Sequence, residues 1–306
     1  MSLVFFGSPR FAVPSLKSLI EAGEKVEAVV TQTDKPVGRS RRPQAPPVKE
    51  FALERGLRVL QPPSMRDEAF LRDLEAIRPE FIVVVAYGRI LTKRVLAAPS
   101  KAPVNLHASL LPRYRGASPI AWAVINGEKE TGLTTMLITE GLDEGDILLQ
   151  ERHGIRPDDT ADSLALRLSE AGGPLLVKTL SGLRDGSIEP VPQGGGATYA
   201  PLLQKEDGRV DWSRRARELY NFVRGMHPWP GAFTHAGGIR IRLLRTRAVP
   251  GKGEPGRVMR ISDESFEVGT GDGRLEVLEL QPEGGRAMSA RDFLHGRRLL
   301  EGACLG

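Results

Sequence analysis

The sequence predicts an α/β domain with a mostly parallel sheet, followed by a small antiparallel β-domain. Residues 3–6 and 26–30 are apolar strand candidates, and segment 11–22 between them has apolar residues at helical spacing. Strand, helix and strand in this order favour parallel pairing through a right-handed crossover, which is a Rossmann-like arrangement. After residue 238 the chain changes to short segments in which every second residue is apolar, a pattern typical of antiparallel strands.

The first domain is expected to span residues 1–185. Its first helix, 11–22, has Pro14 near its start, where proline fits a helix. A second helix, 65–77, is expected to take Ser64 as its N-cap, because serine hydroxyls accept hydrogen bonds from first-turn N–H groups. The other elements expected here are strands at 57–60, 81–86, 133–138 and 147–150, and helices at 48–55, 119–126 and 160–183, the last capped by Thr160.

A linker, 186–204, is expected between the domains because it is rich in Gly and Pro and includes a run of three glycines. A surface loop within one domain is the alternative. The second domain, 205–306, is expected to begin with a helix at 213–225. Strands of a small antiparallel barrel are expected at 239–244, 256–261, 265–268 and 274–280.

Composition indicates a globular protein and argues against several classes. Of 306 residues 40% are hydrophobic, yet no stretch approaches the roughly 18 apolar residues of a membrane span. The N-terminus enters a strand pattern without a charged region or cleavage site, so secretion is not expected. A single cysteine, Cys304, excludes an intramolecular disulfide and fits the reducing cytoplasm. Five scattered histidines lack zinc-site spacing, so we expect no metal. We also expect no membrane contact and a monomeric protein.

Positive charge is concentrated in two segments, although the net charge is only +5. Segment 34–49 holds five Lys or Arg against one Asp, and segment 205–247 holds ten against four acids. Two basic segments indicate a polyanionic partner that contacts the protein in more than one place. Four prolines and a glycine in 34–49 predict a long loop without regular structure.

Residues 104–116 carry the clearest chemical signal and are expected to form a strand and the loop after it. Asn105 and His107 are two apart, a spacing that directs both side chains to one face of a strand. A carboxamide donor beside an imidazole suits acyl transfer, which needs a stabilised oxyanion and a moved proton. The alternatives are a histidine satisfied within the core and an asparagine that caps a loop.

Asn-x-His-x-Ser-Leu-Leu-Pro at 105–112 resembles the signature of the formyltransferases that use 10-formyltetrahydrofolate. The longer string through Ile120 resembles the methionyl-tRNA formyltransferase branch of that family, and segment 141–146 is similar to its Asp-x-Gly loop. The resemblance covers the whole chain, with further matching motifs at 5–14, 197–201 and 205–208. It implies that the second domain is an OB-type barrel, which periodicity alone does not distinguish from other small barrels.

The resemblance implies transfer of the formyl group from 10-formyltetrahydrofolate to the α-amino group of methionyl initiator tRNA, for translation initiation. Asn105 and His107 would stabilise the oxyanion, and Asp143 would orient His107 or relay a proton through water. A turn aspartate is the alternative reading of Asp143, because Asp before Gly is common in turns. Glu144 and Asp146 are rival carboxylates; the family correspondence selects Asp143, whereas spacing does not.

The resemblance also implies binding residues for both substrates. Those implied for the folate are Ser109, Leu110, Leu111, Pro112, Tyr87, Gly88, Ile90, Glu140 and Gly141. Those expected at the tRNA are Lys35, Arg39, Arg41, Arg42, Lys49, Arg214, Arg240 and Arg242. The alternative for Leu110 and Leu111 is core packing. For the cations of segment 34–49 the alternative is a solvated basic loop, and for those of the second domain it is an ordinary exposed barrel face. Trp229, between two prolines, is expected to be a packing corner rather than a base-stacking platform.

Three other functions remain open from sequence alone. A formyltransferase acting on a small amine shares Asn105, His107 and Asp143, and so does a hydrolase that deformylates the folate. An RNA-binding protein with a degenerate catalytic domain is the alternative from another class. The two basic segments favour tRNA over a small amine, and the intact triplet argues against a degenerate site.

Overall fold

The chain folds into two compact units. The computed structural model describes three ranges of residues, 2–37, 42–296 and 299–306. Each unit is assembled from three segments, Met1–Pro119, Thr131–Gly154 and Ala165–Pro201 in the first, and Ile120–Glu130, Ile155–Leu164 and Leu202–Gly306 in the second. Segments distant in sequence therefore share a unit. The domain limits expected from the sequence, 1–185, 186–204 and 205–306, stay a prediction.

A mostly parallel sheet organises the first unit. The strands in this part of the chain are β1 Ser2–Gly7, β2 Lys25–Val30, β3 Lys35–Val37, β4 Arg42–Gln44, β5 Val59–Leu60, β6 Phe81–Val85, β7 Ala102–His107, β8 Glu130–Leu137 and β9 Ile147–Gly154. Seven of them form one sheet in the order β5-β2-β1-β6-β7-β8-β9. The pairs β1–β2, β1–β6, β6–β7 and β2–β5 are parallel, and β7–β8 is antiparallel. The predicted Rossmann-like sheet is confirmed.

All the helices described before residue 186 were predicted except the short one at Lys93–Leu96, with ends that differ by up to three residues. They are α1 Val13–Glu21, α2 Pro47–Glu54, α3 Glu68–Ile77, α4 Lys93–Leu96, α5 Pro119–Ile125 and α6 Ala161–Asp185. Thr160 caps α6 as expected, since its Oγ1 accepts from the Ser163 N–H at 3.2 Å. Among the described residues, no helix has the length and apolar character needed to cross a membrane.

The N-cap expected for α3 is wrong. Asp67, not Ser64, accepts a hydrogen bond from the Phe70 N–H, at 2.8 Å, and the helix begins at Glu68. The Ser64 hydroxyl instead accepts from the Arg66 N–H at 3.1 Å, within the turn before the helix. A carboxylate makes a stronger, charge-assisted bond to a backbone N–H than a hydroxyl does, which favours the later start.

Segment 34–49 contains regular structure, contrary to expectation. Strands β3 and β4 pair antiparallel, with Lys35 opposite Gln44 and Pro36 opposite Pro43. Prolines lack an N–H, but an antiparallel ladder alternates hydrogen-bonded with non-hydrogen-bonded pairs. Two facing prolines fit a non-hydrogen-bonded pair, so proline content alone did not exclude a short ribbon here.

A curled antiparallel sheet organises the second unit. Its strands are β10 Phe233–Ala236, β11 Ile239–Val249, β12 Val258–Ile261, β13 Phe266–Gly269, β14 Arg274–Pro282 and β15 Met288–Ser289. The order is β10-β11-β14-β13-β12, with β15 beside β14. Strand β11 pairs antiparallel with β10 and β14, and β13 pairs antiparallel with β12 and β14. Register shifts at Arg245 mark bulges, which bend a sheet, and the result is a curled half-barrel. The sequence predicted a small antiparallel barrel, and this antiparallel architecture is confirmed, with β10 and β15 as strands that were not predicted.

Helix α7, Ala216–Gly225, completes the core of the second unit. Leu219, Phe222 and Val223 are buried, as their helical spacing predicted. They share one apolar cluster with sheet residues Ile241, Leu243, Val258, Phe266, Leu275 and Val277. The last helix, α8, spans Ala290–Gly296 and buries Phe293 in the same cluster.

Candidate active site

Strand β7 carries Asn105 and His107 in the interior of the sheet, between β6 and β8. Asn105 lies opposite Val84 of β6 and Met136 of β8, and His107 lies opposite Thr134. The two side chains alternate with Leu106, so they share a face, as predicted. Within the described ranges the Asn105 carboxamide makes no hydrogen bond to protein, and its side chain is only half-buried. It is therefore an available donor at the end of a rigid strand.

The His107 imidazole is held between two oxygen atoms and is only 6% exposed. Its Nε2 lies 2.9 Å from the carbonyl oxygen of Tyr114. Because a carbonyl oxygen only accepts hydrogen bonds, we assign a hydrogen to Nε2. Nδ1 faces Oδ2 of Asp143 at 3.6 Å, which is too long for a hydrogen bond. Nδ1 is thus the ring nitrogen free to exchange a proton beside a carboxylate.

Asp143 is the carboxylate that reaches His107, and its side chain is 15% exposed. Its Oδ2 also accepts a hydrogen bond from the Gly116 N–H at 2.8 Å. The residue has a φ of +51°, a left-handed conformation that Asp adopts more readily than most non-glycine residues do. The rival Glu144 is exposed and faces Arg115 at 3.5 Å instead. Of these two carboxylates, Asp143 is therefore the one that faces His107.

The segment 109–112 is fixed against β8 by Thr134. The Thr134 hydroxyl donates to the Ser109 carbonyl at 2.6 Å and accepts from the Leu111 N–H at 3.1 Å. The Ser109 hydroxyl, expected at the folate, donates within the loop to the carbonyl of Arg113 at 2.6 Å. Leu111 is buried, Leu110 and Pro112 are half-buried, and the Leu111–Pro112 peptide is cis. Core packing therefore holds for Leu111.

The other residues implied for the folate are spread over the loops after β6 and β8. Tyr87 is buried with its ring edge-on to Phe6, and burial raises the pKa of its phenol. Its carbonyl accepts from the Gln32 side chain at 2.7 Å, and Gly88, at φ +76°, leaves room for that amide. Ile90 is 87% exposed. Gly141 is exposed, and Glu140 pairs with Lys93 at 2.9 Å.

A cavity of about 910 Å³ opens beside this region of the first unit. Its lining includes both Ile90 and Glu140, but not Tyr87, Gly88 or the segment 109–112. The apolar part of its wall is formed by Met65, Leu71 and Leu91. The remaining lining residues are Pro63, Ser64, Arg66, Glu68, Arg89, Thr92, Lys93 and Arg94. A ligand pocket usually has a mostly apolar wall, whereas six of the thirteen residues that line this cavity are charged.

Of the basic residues expected in 34–49, the structure describes the side chains of Lys35 and Lys49. Lys35 donates to Gln32 at 2.6 Å, and Lys49 binds Asp34 at 2.8 Å. The hydrogen bond from Lys49 lowers the pKa of the Asp34 carboxyl. Arg39 and Arg41 lie outside the described residues, as does the side chain of Arg42.

The second unit has a cationic cavity of about 290 Å³ around Trp229. Arg240 and Arg242 line it, together with Lys205, Pro230, Gln281, Pro282, Glu283 and Gly284. Arg240 stacks on the Phe233 ring at 3.7 Å, and burial, followed by the charge of Arg240, lowers the pKa of Arg242. Trp229 is 61% exposed, so the expectation of a packing corner is wrong for its side chain. Arg214 points elsewhere, pairing with Glu218 at 3.5 Å.

Gln193 is a site residue that the sequence reasoning missed. Its side-chain amide donates to the carbonyls of Asp143 and Gly145, both at 2.8 Å. Its oxygen accepts from Arg115 at 2.7 Å. Gln193 lies in the glycine-rich segment interpreted as a linker, where no periodic pattern marks a site residue.

Comparison with known proteins identifies relatives along the whole length. A family model described as "Formyl transferase" matches residues 1–180, and "Formyl transferase, C-terminal domain" matches 202–298. The chain is 49% identical over 300 residues to the "Methionyl-tRNA formyltransferase" of Thermodesulfovibrio yellowstonii, covering 98% of this chain and 97% of that protein. It is also 49% identical over 309 residues to the protein of the same name from Pelotomaculum thermopropionicum, covering 100% and 99%.

Solved structures with similar folds have lower sequence identity. Methionyl-tRNA formyltransferase from Clostridium thermocellum aligns with a TM-score of 0.58 at 19% identity, over 81% of this chain and 93% of that one. HypX from Aquifex aeolicus in complex with tetrahydrofolic acid aligns with a TM-score of 0.63 at 18% identity, over 98% of this chain and 50% of HypX. At this identity the structures support the fold alone.

Proposed function

Because the chain belongs to the formyl transferase family, we propose that it transfers the formyl group of 10-formyltetrahydrofolate to the α-amino group of methionyl initiator tRNA. The observation that carries the proposal is the unpartnered Asn105 carboxamide beside the His107–Asp143 pair at the end of β7. The full-length identity of 49% to proteins named methionyl-tRNA formyltransferase supports the choice of acceptor. The reaction is a one-carbon group transfer that prepares translation initiation.

The amine nitrogen attacks the formyl carbon, and the carbonyl electron pair moves to oxygen. Asn105 donates to that oxyanion from its side-chain amide, which makes no hydrogen bond to any group in the described part of the chain. One such donor is typically worth about 2.7–4 kcal/mol of transition-state stabilisation. The position of Asn105 on a central strand supports this role, because the sheet fixes its backbone before the charge develops.

The attacking amine must lose a proton, and the leaving N10 of tetrahydrofolate must gain one. His107 Nδ1 and the Asp143 carboxylate take up the proton of the amine, directly or through a water molecule. Collapse of the oxyanion restores the carbonyl and breaks the bond to N10, which takes up the proton held by the His107–Asp143 pair. Nε2 of His107 stays bonded to the Tyr114 carbonyl, which keeps the ring in one orientation during both transfers. His107 also contributes positive charge near the oxyanion when it is protonated.

The folate is proposed to bind along the loops at the carboxyl ends of β6, β7 and β8. Ile90 and Glu140 line the cavity of about 910 Å³, which supports a role for both loops in ligand binding. Leu110, half-buried within the fixed segment 109–112, supplies apolar surface. Ser109, Leu111, Pro112, Tyr87, Gly88 and Gly141 act mainly through backbone groups and loop shape.

The tRNA is proposed to contact exposed cations of both basic segments. Lys35 is exposed and Arg240 is half-buried against Phe233, whereas Lys49 is partly neutralised by Asp34. Arg39, Arg41, Arg42, Arg214 and Arg242 complete the proposed set. Phosphate contacts of this kind make affinity fall steeply with salt. A cytoplasmic location and a monomeric state stay predictions.

The experiment is single-turnover formyl transfer from 10-formyltetrahydrofolate, with charged initiator tRNA, charged elongator tRNA and free methionine as parallel acceptors. We expect transfer to the charged initiator and little to the others. Folate consumption without formylation of any tRNA would instead indicate a small-amine acceptor or hydrolysis, and the proposal would be rejected. Salt-sensitive tRNA binding without folate turnover would indicate an RNA-binding protein.

A further inference from the structure

We propose that Gln193 is a positioning residue for the His107–Asp143 pair. It belongs to residues 191–200, which we name the strap and which hold that pair in place. The inference rests on the proposed function, because it assumes that the pair moves protons. Nothing in the family comparison assigns a role to Gln193. The strap lies in the segment that composition predicted to be a linker between domains.

The strap is anchored to the site at both of its ends. Val191 exchanges two backbone hydrogen bonds with Ile147, at 2.8 and 2.9 Å, just after the Asp143 loop. At the other end, Ala200 donates to the carbonyl of Arg115 at 2.7 Å. The Arg115 N–H donates to the carbonyl of Thr198 at 2.8 Å. The strap therefore joins the loop after β7 to the start of β9, which directly follows the loop that carries Asp143.

The strap fixes two residues in the loop after β7, one that binds His107 and one that binds Asp143. Tyr114, whose carbonyl orients His107, donates its N–H to Thr198 Oγ1 at 2.9 Å. Gly116, whose N–H holds Asp143, has φ +116° and packs so closely on Ala200 that a Cβ would lie 2.7 Å from its carbonyl oxygen. A shift of the strap would thus move the groups that bind His107 and Asp143.

Gln193 completes the attachment by holding the main chain of the Asp143 turn. One NH₂ group donates to two carbonyls, on either side of Glu144, while the amide oxygen binds Arg115. Within 189–199, where the other side chains are exposed, Gln193 alone is half-buried. Asp143 has a left-handed φ, which Asp adopts more readily than most other residues do, and the contacts around the turn select it here. Gln193 supplies two of those contacts.

The test compares Gln193→Leu and Gln193→Glu with Gly194→Ala as the matched control. Leucine keeps the size but removes both hydrogen-bonding functions. An ionised glutamate keeps the acceptor for Arg115 and sets a negative oxygen against two carbonyls. A Cβ on Gly194 meets no atom within 4 Å, and its φ is not in the left-handed region.

We expect kcat to fall about 10²-fold in Gln193→Leu, because a displacement of about 1 Å costs that much. KM for folate and for tRNA should stay within about threefold, and Tm within about 3 °C, since no core packing is lost. Gln193→Glu should be similarly impaired at high pH and recover partly as pH falls, when a protonated carboxyl donates one hydrogen bond. Gly194→Ala should match the wild type. An unchanged kcat in Gln193→Leu would overturn the proposal, as would a loss explained entirely by a lower Tm.

A readout independent of turnover separates this inference from the proposed function. NMR of ¹⁵N-labelled full-length protein reports the His107 ring nitrogens, assigned with a His107→Gln variant. We expect the Nδ1 resonance to shift in Gln193→Leu, because Asp143 moves relative to the ring, and to stay unchanged in Gly194→Ala. Identical His107 resonances in all three proteins would contradict the positioning role, even if formyl transfer to tRNA were absent.

Discussion

The carboxyl edge of the first sheet and the Trp229 cavity of the second unit differ in how they hold polar groups. At the edge, His107 is 6% and Asp143 15% exposed, and backbone or side-chain bonds fix both. At the cavity, Trp229 is 61% exposed and its neighbours are cations with few acidic partners. The first arrangement suits chemistry, which needs fixed geometry. The second suits binding of a polyanion, which needs accessible charge.

This comparison predicts that substitutions in the first region act on the chemical step and those in the second on affinity. His107→Gln is the strongest test of the prediction for the first region. We expect kcat to fall about 10²–10⁴-fold, the usual contribution of a positioned acid or base, with little change in KM. Steady-state kinetics with saturating folate measures both constants. A change confined to KM would remove the distinction between the regions.

Asp143→Asn isolates charge from geometry, because the amide oxygen of asparagine can still accept from the Gly116 N–H. We expect kcat to fall about 10²-fold or more, as when a neutral amide replaces a carboxylate that orients a histidine. Glu144→Gln is the control, since Glu144 is exposed and faces Arg115 rather than His107. Equal kinetic effects of the two substitutions would show that Asp143 has no special role.

Trp229→Ala tests the second half of the comparison. Base stacking on an aromatic side chain is worth about 1–3 kcal/mol, so KM for tRNA should rise about tenfold while kcat stays the same. Trp229→Phe should retain most of the affinity. Leu300→Ala, at another exposed apolar residue of the same unit, is the control. If KM for tRNA is unchanged in Trp229→Ala, the tryptophan does not contact the tRNA.

Arg240→Ala should give a smaller effect of a different kind. A lost phosphate contact reduces the slope of log affinity against log salt by about 1, with only a modest loss of affinity at moderate salt. Filter binding over a salt series measures that slope. An unchanged slope would indicate that the stacking of Arg240 on Phe233 is its whole role.

His227 gives the smallest predicted effect, on stability rather than activity. Burial, followed by the charge of Arg242, lowers the pKa of His227 in the folded protein. Its neutral form is therefore favoured by folding, and stability falls as pH drops below the unfolded value of about 6.5. The loss of Tm between pH 7 and pH 5 should be smaller in His227→Gln than in the wild type. A larger loss of Tm in His227→Gln than in the wild type would be opposite in sign to the predicted effect and would contradict this assignment.

Local patterns predicted the first region better than the second. The two-residue spacing on an apolar strand was enough to put Asn105 and His107 on one face of β7. Asp143 required the family resemblance, because three carboxylates in one loop look alike in sequence. The β3–β4 ribbon and the Asp67 cap were missed because hydrogen-bond pairing decides them, not composition.

Features that depend on distant contacts could not be predicted. Gln193 acts through bonds to residues 48 to 78 positions away, and its own segment has no periodicity. The exposure of Trp229 depends on the packing of the elements around it, which a Trp between two prolines does not reveal. The grouping of 120–130 and 155–164 with the second unit is likewise a property of the folded chain.

The most direct test of the central claim is the single-turnover rate of formyl transfer to charged initiator tRNA by Asn105→Ala, with both substrates saturating. We predict a rate about 10²–10³-fold below that of the wild type, the usual cost of losing one oxyanion donor, with tRNA and folate affinities unchanged. A rate within about threefold of the wild type would contradict the claim that the free carboxamide of Asn105 stabilises the transition state.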